Sequence, residues 1–261
     1  MKNFKHIKFE KQGAIARLEL DRPDAANGLN ALMSSELNQA AQICSNDPEL
    51  KVVLLCASGR FFCAGGDIKE MLSHGDAIGE AVKSLADDLH SAISTFSRMQ
   101  AALIVAVNGV AAGAGFSLAL IGDIVLAAES ASFTMAYTRA GLCPDGGSSY
   151  FLPRLVGLRR AQELMLTNRT LNAVEACDLG LVTRLVADDE LEQQAQQVAS
   201  DLAAGARLST LYVKKLLLAS SGNDLDTQME LEGQLVSRCA ASPDGREGIQ
   251  AFVAKRIPEF N

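Results

Sequence analysis

Short apolar runs recur between stretches of helical spacing, and this alternation constrains the fold more than any other feature of the chain. The runs are Lys51–Cys56 (KVVLLC), Ile104–Val107 (IVAV) and Ile124–Ala127 (IVLA). A run this short, with almost no polar residue, predicts a buried strand, and strands alternating with helices predict an α/β core. Upstream, segments 6–10 and 14–20 alternate apolar and polar residues around Gly13, as a hairpin does. Leu32, Leu37, Ala40, Ala41 and Cys44 stand at helical spacing and predict a helix over 31–44. A further helical stretch follows the glycine-rich loop at 63–67 and runs to about residue 98, and another covers 114–121. From about residue 155 the pattern is almost wholly helical. Asn172 and Glu175 are spaced as a capping box, and Gly180 reads as a stop. Leu191, Ala195, Val198 and Leu202 form one apolar stripe, and Leu225, Met229, Glu232 and Val236 a weaker, broken one. The change of class predicts a helical appendage on the core, since no Gly/Ser/Pro linker separates the two.

Charge and cysteine usage exclude several functions. The net charge of −7 repels phosphate backbones, so no nucleic acid is expected as partner. No window approaches the ~18 apolar residues of a membrane span, and MKNFKHIKFEKQ lacks the apolar centre of a secretion signal. A cytoplasmic location is therefore expected. Cys44, Cys56, Cys63, Cys143, Cys177 and Cys239 form no CxxC pair and read as reduced, buried thiols. His6, His74 and His90 lie far from one another and from any cysteine in sequence, so no metal site is expected.

Three loops look chemical. In Phe61–Ile68 (FFCAGGDI), Gly65 and Gly66 let the backbone approach a ligand and aim N–H groups at it. The same residues also suit a strand-to-helix turn with Asp67 as N-cap. Val107–Leu120 (VNGVAAGAGFSLAL) runs from a strand through small residues into an apolar helix, whose first N–H groups are unpaired. It is not a dinucleotide fingerprint, because Leu118 stands where a third glycine belongs and no acidic residue follows at the ribose spacing. In Gly141–Pro153 (GLCPDGGSSYFLP), Pro144 sets the backbone ahead of Asp145, which reads either as a helix cap or as a catalytic carboxylate.

Together these loops resemble the enoyl-CoA hydratase/isomerase (crotonase) family over essentially the whole chain. The matching segments are RPDAANGLNAL (22–32), FFCAGGDIKEM (61–71), VNGVAAGAGFSLALIGDIVLAA (107–128), GLCPDGGSSYFLPRLVG (141–157) and REGIQAFVAKRIPEF (246–260). The resemblance implies an α/β spiral of ββα repeats over 1–190. It also implies a C-terminal helical region over 191–261 that builds homotrimers, or hexamers as dimers of trimers. An acyl-CoA thioester would be the substrate, with coenzyme A part of it and no separate cofactor. The N–H groups of Gly66 and Ala114 would form an oxyanion hole on the thioester carbonyl, stabilising enolate charge by several kcal/mol, roughly, as preorganised donors do. Ala26, Ala64, Gly65, Asp67 and Ile68 would line the coenzyme A. Phe252 and Lys255 match positions that reach the coenzyme A of a neighbouring subunit.

The resemblance also bears on the reaction. Ser117 and Tyr137 stand where hydratases of the family carry two glutamates, and neither can replace a carboxylate. Asp145 matches the acid/base position of Δ3,Δ2-enoyl-CoA isomerases and of 1,2-epoxyphenylacetyl-CoA isomerases. The expectation is thus an isomerase in which Asp145 shuttles one proton across an enoyl thioester, with His90, Ser117 and Tyr137 lining its pocket. Four alternatives remain: a hydratase-type lyase, a hydrolase resembling 4-chlorobenzoyl-CoA dehalogenase with Asp145 as nucleophile and His90 beside it, a serine hydrolase, and a coenzyme A-binding module without activity. A serine hydrolase built on Ser117, His90 and Asp145 lacks a GxSxG elbow. Ala101–Ala102 replace a Lys-Pro pair common in the family, which removes one basic contact.

Overall fold

The computed structural model describes residues 4–260, so the expected outer bounds 1 and 261 lie outside the described residues. An antiparallel hairpin, β1 (Ile7–Gln12) and β2 (Ile15–Leu20), opens the chain, turning at Gly13 with φ 56°. Asn30 then starts α1 (Ala31–Asn46): its Oδ1 accepts from Met33 N–H, an unpaired donor of the first turn.

Three successive strand pairs follow, and each divides itself between two sheets. The pairs are β3 (Val52–Ala57) with β4 (Phe61–Cys63), β5 (Ala102–Val107) with β6 (Val110–Ala112), and β7 (Ile124–Ala128) with β8 (Ser132–Thr134). The longer first strands join β2 as a parallel run β2-β3-β5-β7, and the shorter second strands form the parallel run β4-β6-β8 of a four-stranded sheet. The spiral expected from the resemblance is this stacking of one strand pair on the last. β3 and β5 are apolar throughout and buried almost end to end, as strands covered on both faces must be.

Stacking the pairs brings backbone onto backbone at the turns. A Cβ at Gly109, between β5 and β6, would overlap the carbonyl oxygen of Arg60, in the turn between β3 and β4. Asn108 Nδ2 donates to Gly59 O at 2.8 Å across the same contact. Between the first two pairs run α2 (Ile68–Ser73) and α3 (Ile78–Arg98), two helices where one stretch to residue 98 is expected. On α3, Leu85, Leu89, Ala92, Ile93 and Phe96 share one buried stripe, and the helix packs on α1. The short, fully buried α4 (Ala114–Leu120) lies between β6 and β7.

The later chain is helical with two interruptions that correct the expectation of an almost wholly helical segment. After α5 (Ser148–Val156) and α6 (Leu158–Thr167), β9 (Leu171–Asn172) pairs antiparallel with β8. Beyond α7 (Ala173–Asp178), which opens with the capping box of Asn172 and Glu175, β10 (Arg184–Val186) joins β7 in parallel. Strands of two and three residues are too short to show a period in sequence. Finally come α8 (Leu191–Ala203), α9 (Arg207–Ser220), α10 (Leu225–Ala241) and α11 (Pro243–Ala254), of which α8 packs on β3, β5 and β7. No helix among the described residues is long and apolar enough to cross a membrane.

A Cβ at Gly115, in the first turn of α4, would overlap the carbonyl oxygen of Cys63 at the end of β4. Backbone cannot yield as a flexible side chain can, so Gly115→Ala should cost about 1–3 kcal/mol or more in stability. Gly79→Ala, at an exposed site in α3 with nothing within 4 Å, should be neutral or stabilising by roughly 0.5–1 kcal/mol. Thermal or urea unfolding of the two variants against the parent checks both.

Candidate active site

Two loops meet where β4 and β6 end. Gly65, at φ 98°, and Gly113, at φ 51°, adopt backbone conformations that side chains disfavour. A Cβ on Gly65 would sit 3.0 Å from Ala112 O and 3.6 Å from Ala114 N, so the loops touch through their main chains. Gly66 forms an isolated parallel bridge with Leu29: Leu29 N–H donates to Gly65 O at 2.7 Å, and Asp67 N–H donates to Leu29 O at 2.8 Å. Extended backbone alternates its N–H groups, so this bridge turns the Gly66 N–H away from Leu29. Ala114 is the first residue of α4, where an N–H has no partner within the helix. Neither N–H donates a hydrogen bond to any described residue.

The segment 22–30 backs these loops. Asn27 is fully buried at φ 52°. Its Nδ2 donates to Ser58 O and Phe61 O, both at 2.8 Å, and its Oδ1 accepts from Arg22 N–H. Ala26 O accepts from Ala64 N–H at 3.0 Å, joining two residues expected to line coenzyme A. Asp67, expected in the same lining, caps α2 through Glu70 N–H and pairs with Arg22 Nη2 at 3.0 Å. These two partners hold its carboxyl below the usual range against the opposing effect of burial. Ala64 and Ile68 are exposed, with Ile68 the first residue of α2.

Asp145 reaches this region through Ser117, which stands three residues along α4 from Ala114, about one helical turn. The Ser117 hydroxyl, fully buried, donates to Asp145 O at 3.0 Å and lies 3.1 Å from the Tyr137 hydroxyl. Asp145 is not the cap of α5. That place falls to Gly147, and only the backbone carbonyl of Asp145 serves the helix, accepting from Ser148 N–H and Oγ–H. Gly146 and Gly147, at φ 60° and 73°, reverse the chain there. The Asp145 carboxylate is therefore left facing Tyr137, whose hydroxyl donates to Oδ1 at 2.6 Å, and His90, whose Nε2 is 3.3 Å from Oδ2. His90 Nε2 also accepts from Gly146 N–H at 3.1 Å. Tyr137 is buried, and desolvation, reinforced by the Asp145 charge and their hydrogen bond, pushes its phenol above the ordinary tyrosine range. It stays neutral and donates.

A cavity of about 730 Å³ lies between α3, α5 and α9 and meets this cluster at His90 and Gly147. Ile93, Met99, Phe151, Leu211 and Leu218 make its walls largely apolar. Phe252 and Lys255 are not brought to the cluster: Phe252 stands 86% exposed, and Lys255 is the C-cap of α11 at φ 53°. The expectation of buried thiols holds for Cys44, Cys56 and Cys63, all pushed up to about 12 by burial. Cys143, beside Pro144 on the surface loop, is exposed and corrects it. Asn27 and the His90–Gly146 bond escaped the sequence reading, although the Asn27–Gly28 pair marks a turn.

The enoyl-CoA hydratase/isomerase family model matches residues 10–261. A Rhodobacter capsulatus protein named probable enoyl-CoA hydratase is 38% identical over 254 residues, covering 97% of each chain. The 1,2-epoxyphenylacetyl-CoA isomerase of Escherichia coli is 37% identical over 250 residues, covering 94% of each. The crystal structure of an enoyl-CoA hydratase from Polaromonas sp. JS666 superposes with a TM-score of 0.93 at 33% identity, covering 98% of this chain and 99% of that one.

In the unfolded chain Tyr137 ionises near the ordinary value of ~10, and in the folded chain only at higher pH. Its contribution to stability is therefore fully present below pH ~10 and is lost as pH rises beyond it, because unfolding then releases a proton. Alkaline denaturation of Tyr137→Phe should be less pH-dependent above pH ~10 than that of the parent. Tyrosinate absorbance of the folded parent should show a late-titrating phenol that the variant lacks.

Proposed function

The chain belongs to the enoyl-CoA hydratase/isomerase family, and from that premise we propose that it moves a double bond within an enoyl-CoA thioester. The thioester carbonyl oxygen accepts from Gly66 N–H and Ala114 N–H. Asp145 removes a proton from Cα of a 3-enoyl group, and the C–H electron pair passes into a dienolate whose charge rests on that oxygen. Asp145 then returns the proton at Cγ, leaving the 2-enoyl thioester. One observation supports the reading: the Asp145 carboxylate is turned away from the helix it precedes and toward the buried Tyr137 hydroxyl, which lies 3.1 Å from the Ser117 hydroxyl. Those hydroxyls occupy the positions of the hydratase glutamates, and a phenol held neutral by burial cannot serve as a base near neutral pH.

Coenzyme A is part of the substrate in this reading, so no separate cofactor or metal takes part, and the location is cytoplasmic. The acyl group extends past His90 into the apolar cavity along α3, and Ala26, Ala64, Gly65, Asp67 and Ile68 lie along the coenzyme A. The helices of 191–261 form the oligomerisation region of a homotrimer, or of a hexamer as two trimers. Apolar side chains exposed on α10 and α11, including Met229, Val236, Phe252 and Val253, support a second copy covering them. In that assembly Phe252 and Lys255 reach the neighbouring subunit's substrate. A second reading, a hydrolase resembling 4-chlorobenzoyl-CoA dehalogenase, is favoured by the 3.3 Å approach of His90 to Asp145.

Asp145→Asn keeps the shape of the side chain and removes its basicity. Isomerase turnover should fall by ~10²-fold or more with KM little changed, and near-parental turnover would remove Asp145 from the mechanism. The parent assayed in parallel should isomerise 3-enoyl-CoA at least ~10-fold faster than it hydrates 2-enoyl-CoA, because no carboxylate pair holds a water. Turnover of a halobenzoyl-CoA with halide release would instead establish the hydrolase.

A further inference from the structure

The charges along the cavity beside His90 bear on the acyl group it takes, on the footing of the reading above that the acyl chain enters there. His90 and Gly147 line the end of the cavity next to Asp145. The other end is fixed by contacts between α9 and the end of α3. Lys214 Nζ donates to Phe96 O at 2.9 Å, and Arg207 Nη2 donates to Gln100 Oε1 at 2.6 Å. Lys215, the next residue of α9, is thereby brought to the end of α3 where Arg98 stands, and both line the cavity. No carboxylate lines it. Lys214 is neutralised by Asp123 Oδ2 at 2.8 Å, an oxygen that also accepts from Leu103 N–H. Arg98 and Lys215 form no ion pair among the described residues. In a chain of net charge −7 they are a local positive surplus at the end of an apolar cavity. Arg98 Nη1 donates to Ser94 Oγ at 2.9 Å, which folds the guanidinium back along α3 toward His90.

We infer that the acyl group ends in a carboxylate bound by Arg98 and Lys215, so that the substrate is the coenzyme A monothioester of an unsaturated dicarboxylic acid. The rise along α3 sets the length. Ser94 and Arg98 stand about 6 and 12 Å beyond His90, which an extended carbon chain covers in roughly five to ten bonds. The methylenes between lie against Ile93, Leu211 and Leu218. The guanidinium offers a carboxylate paired N–H donors, and the Lys215 ammonium adds a compact charge beside it. A chain ending in a methyl group makes the same apolar contacts and leaves both cations to water. The preference between the two is therefore electrostatic, and salt weakens it. The phosphates of coenzyme A share this chemistry, and the test separates the two sources.

The test is direct binding by calorimetry at low salt, with the parent, Arg98→Gln, Lys215→Gln and the double variant. Suberyl-CoA and octanoyl-CoA have acyl chains of equal length and differ in the terminal carboxylate. Succinyl-CoA and butyryl-CoA differ in the same way and are too short to reach Arg98. The parent should bind suberyl-CoA ~10-fold more tightly than octanoyl-CoA, each single substitution should remove about threefold of that preference, and the double variant should abolish it. Succinyl-CoA should gain no advantage over butyryl-CoA. Equal affinity of the parent for suberyl-CoA and octanoyl-CoA would overturn the inference. So would equal weakening of both by the substitutions, which would assign the cations to the coenzyme A phosphates, or a preference for succinyl-CoA as large as that for suberyl-CoA. A parent that isomerises the two matching 3-enoyl-CoA substrates with equal kcat/KM overturns this inference alone. A parent that shows the suberyl-CoA preference and isomerises neither substrate supports the anchor and overturns the isomerase reading.

Discussion

Main chain packs directly on main chain where the end of β4 meets the start of α4, and the candidate site depends on that contact. Gly115 faces the carbonyl of Cys63, and Gly65 faces the carbonyl of Ala112. Any side chain at Gly115 would hold the two turns of the spiral apart. Because they close, Gly66 and Ala114 present unpaired N–H groups from different strand pairs to one region. Both belong to backbone packed against backbone, so their positions do not depend on any side-chain rotamer. Asn27 reinforces the arrangement by tying the 22–30 segment to Ser58 and Phe61 with two hydrogen bonds, while its Oδ1 accepts from Arg22 N–H within the segment.

The polar cluster obeys an equally strict account. Tyr137, neutral by burial, has one proton and spends it on Asp145. Ser117 shares its own among nearby oxygens and ties the Asp145 backbone to α4. Gly146 spends its N–H on His90. The carboxylate ends with Oδ1 bonded to Tyr137 and Oδ2 3.3 Å from His90 Nε2, an asymmetry that a simple helix cap would not produce. Two consecutive glycines at positive φ allow the chain to turn so that the carbonyl serves the helix and the carboxylate does not.

Much of this was legible in the sequence, and the losses have physical causes. The strands β3, β5 and β7 were visible because burial on both faces removes polar residues. Gly65 and Gly66 stood out as a pair, and the Asn172–Glu175 box appears as spaced. Asp145 could not be assigned from its surroundings, since an aspartate before a helix commonly caps it; the geometry shows that its carboxylate does not cap α5. β9 and β10 are shorter than any period. The His90–Gly146 bond joins a side chain to a backbone 56 residues away, and backbone donors leave no mark on residue identity.

The strand pairs are laid down in chain order, each seated on the turn of the one before through contacts such as Asn108 to Gly59. Residues 66, 90, 114, 117, 137 and 145 are consequently gathered from three different windings. Such long-range closure is slow relative to helix formation, since loop entropy is lost before the contacts repay it. A chain emerging from the ribosome could bring the loops of Gly65 and Ala114 together before Asp145 joined them. Until the third winding docked, the cluster of His90, Tyr137 and Asp145 would be incomplete.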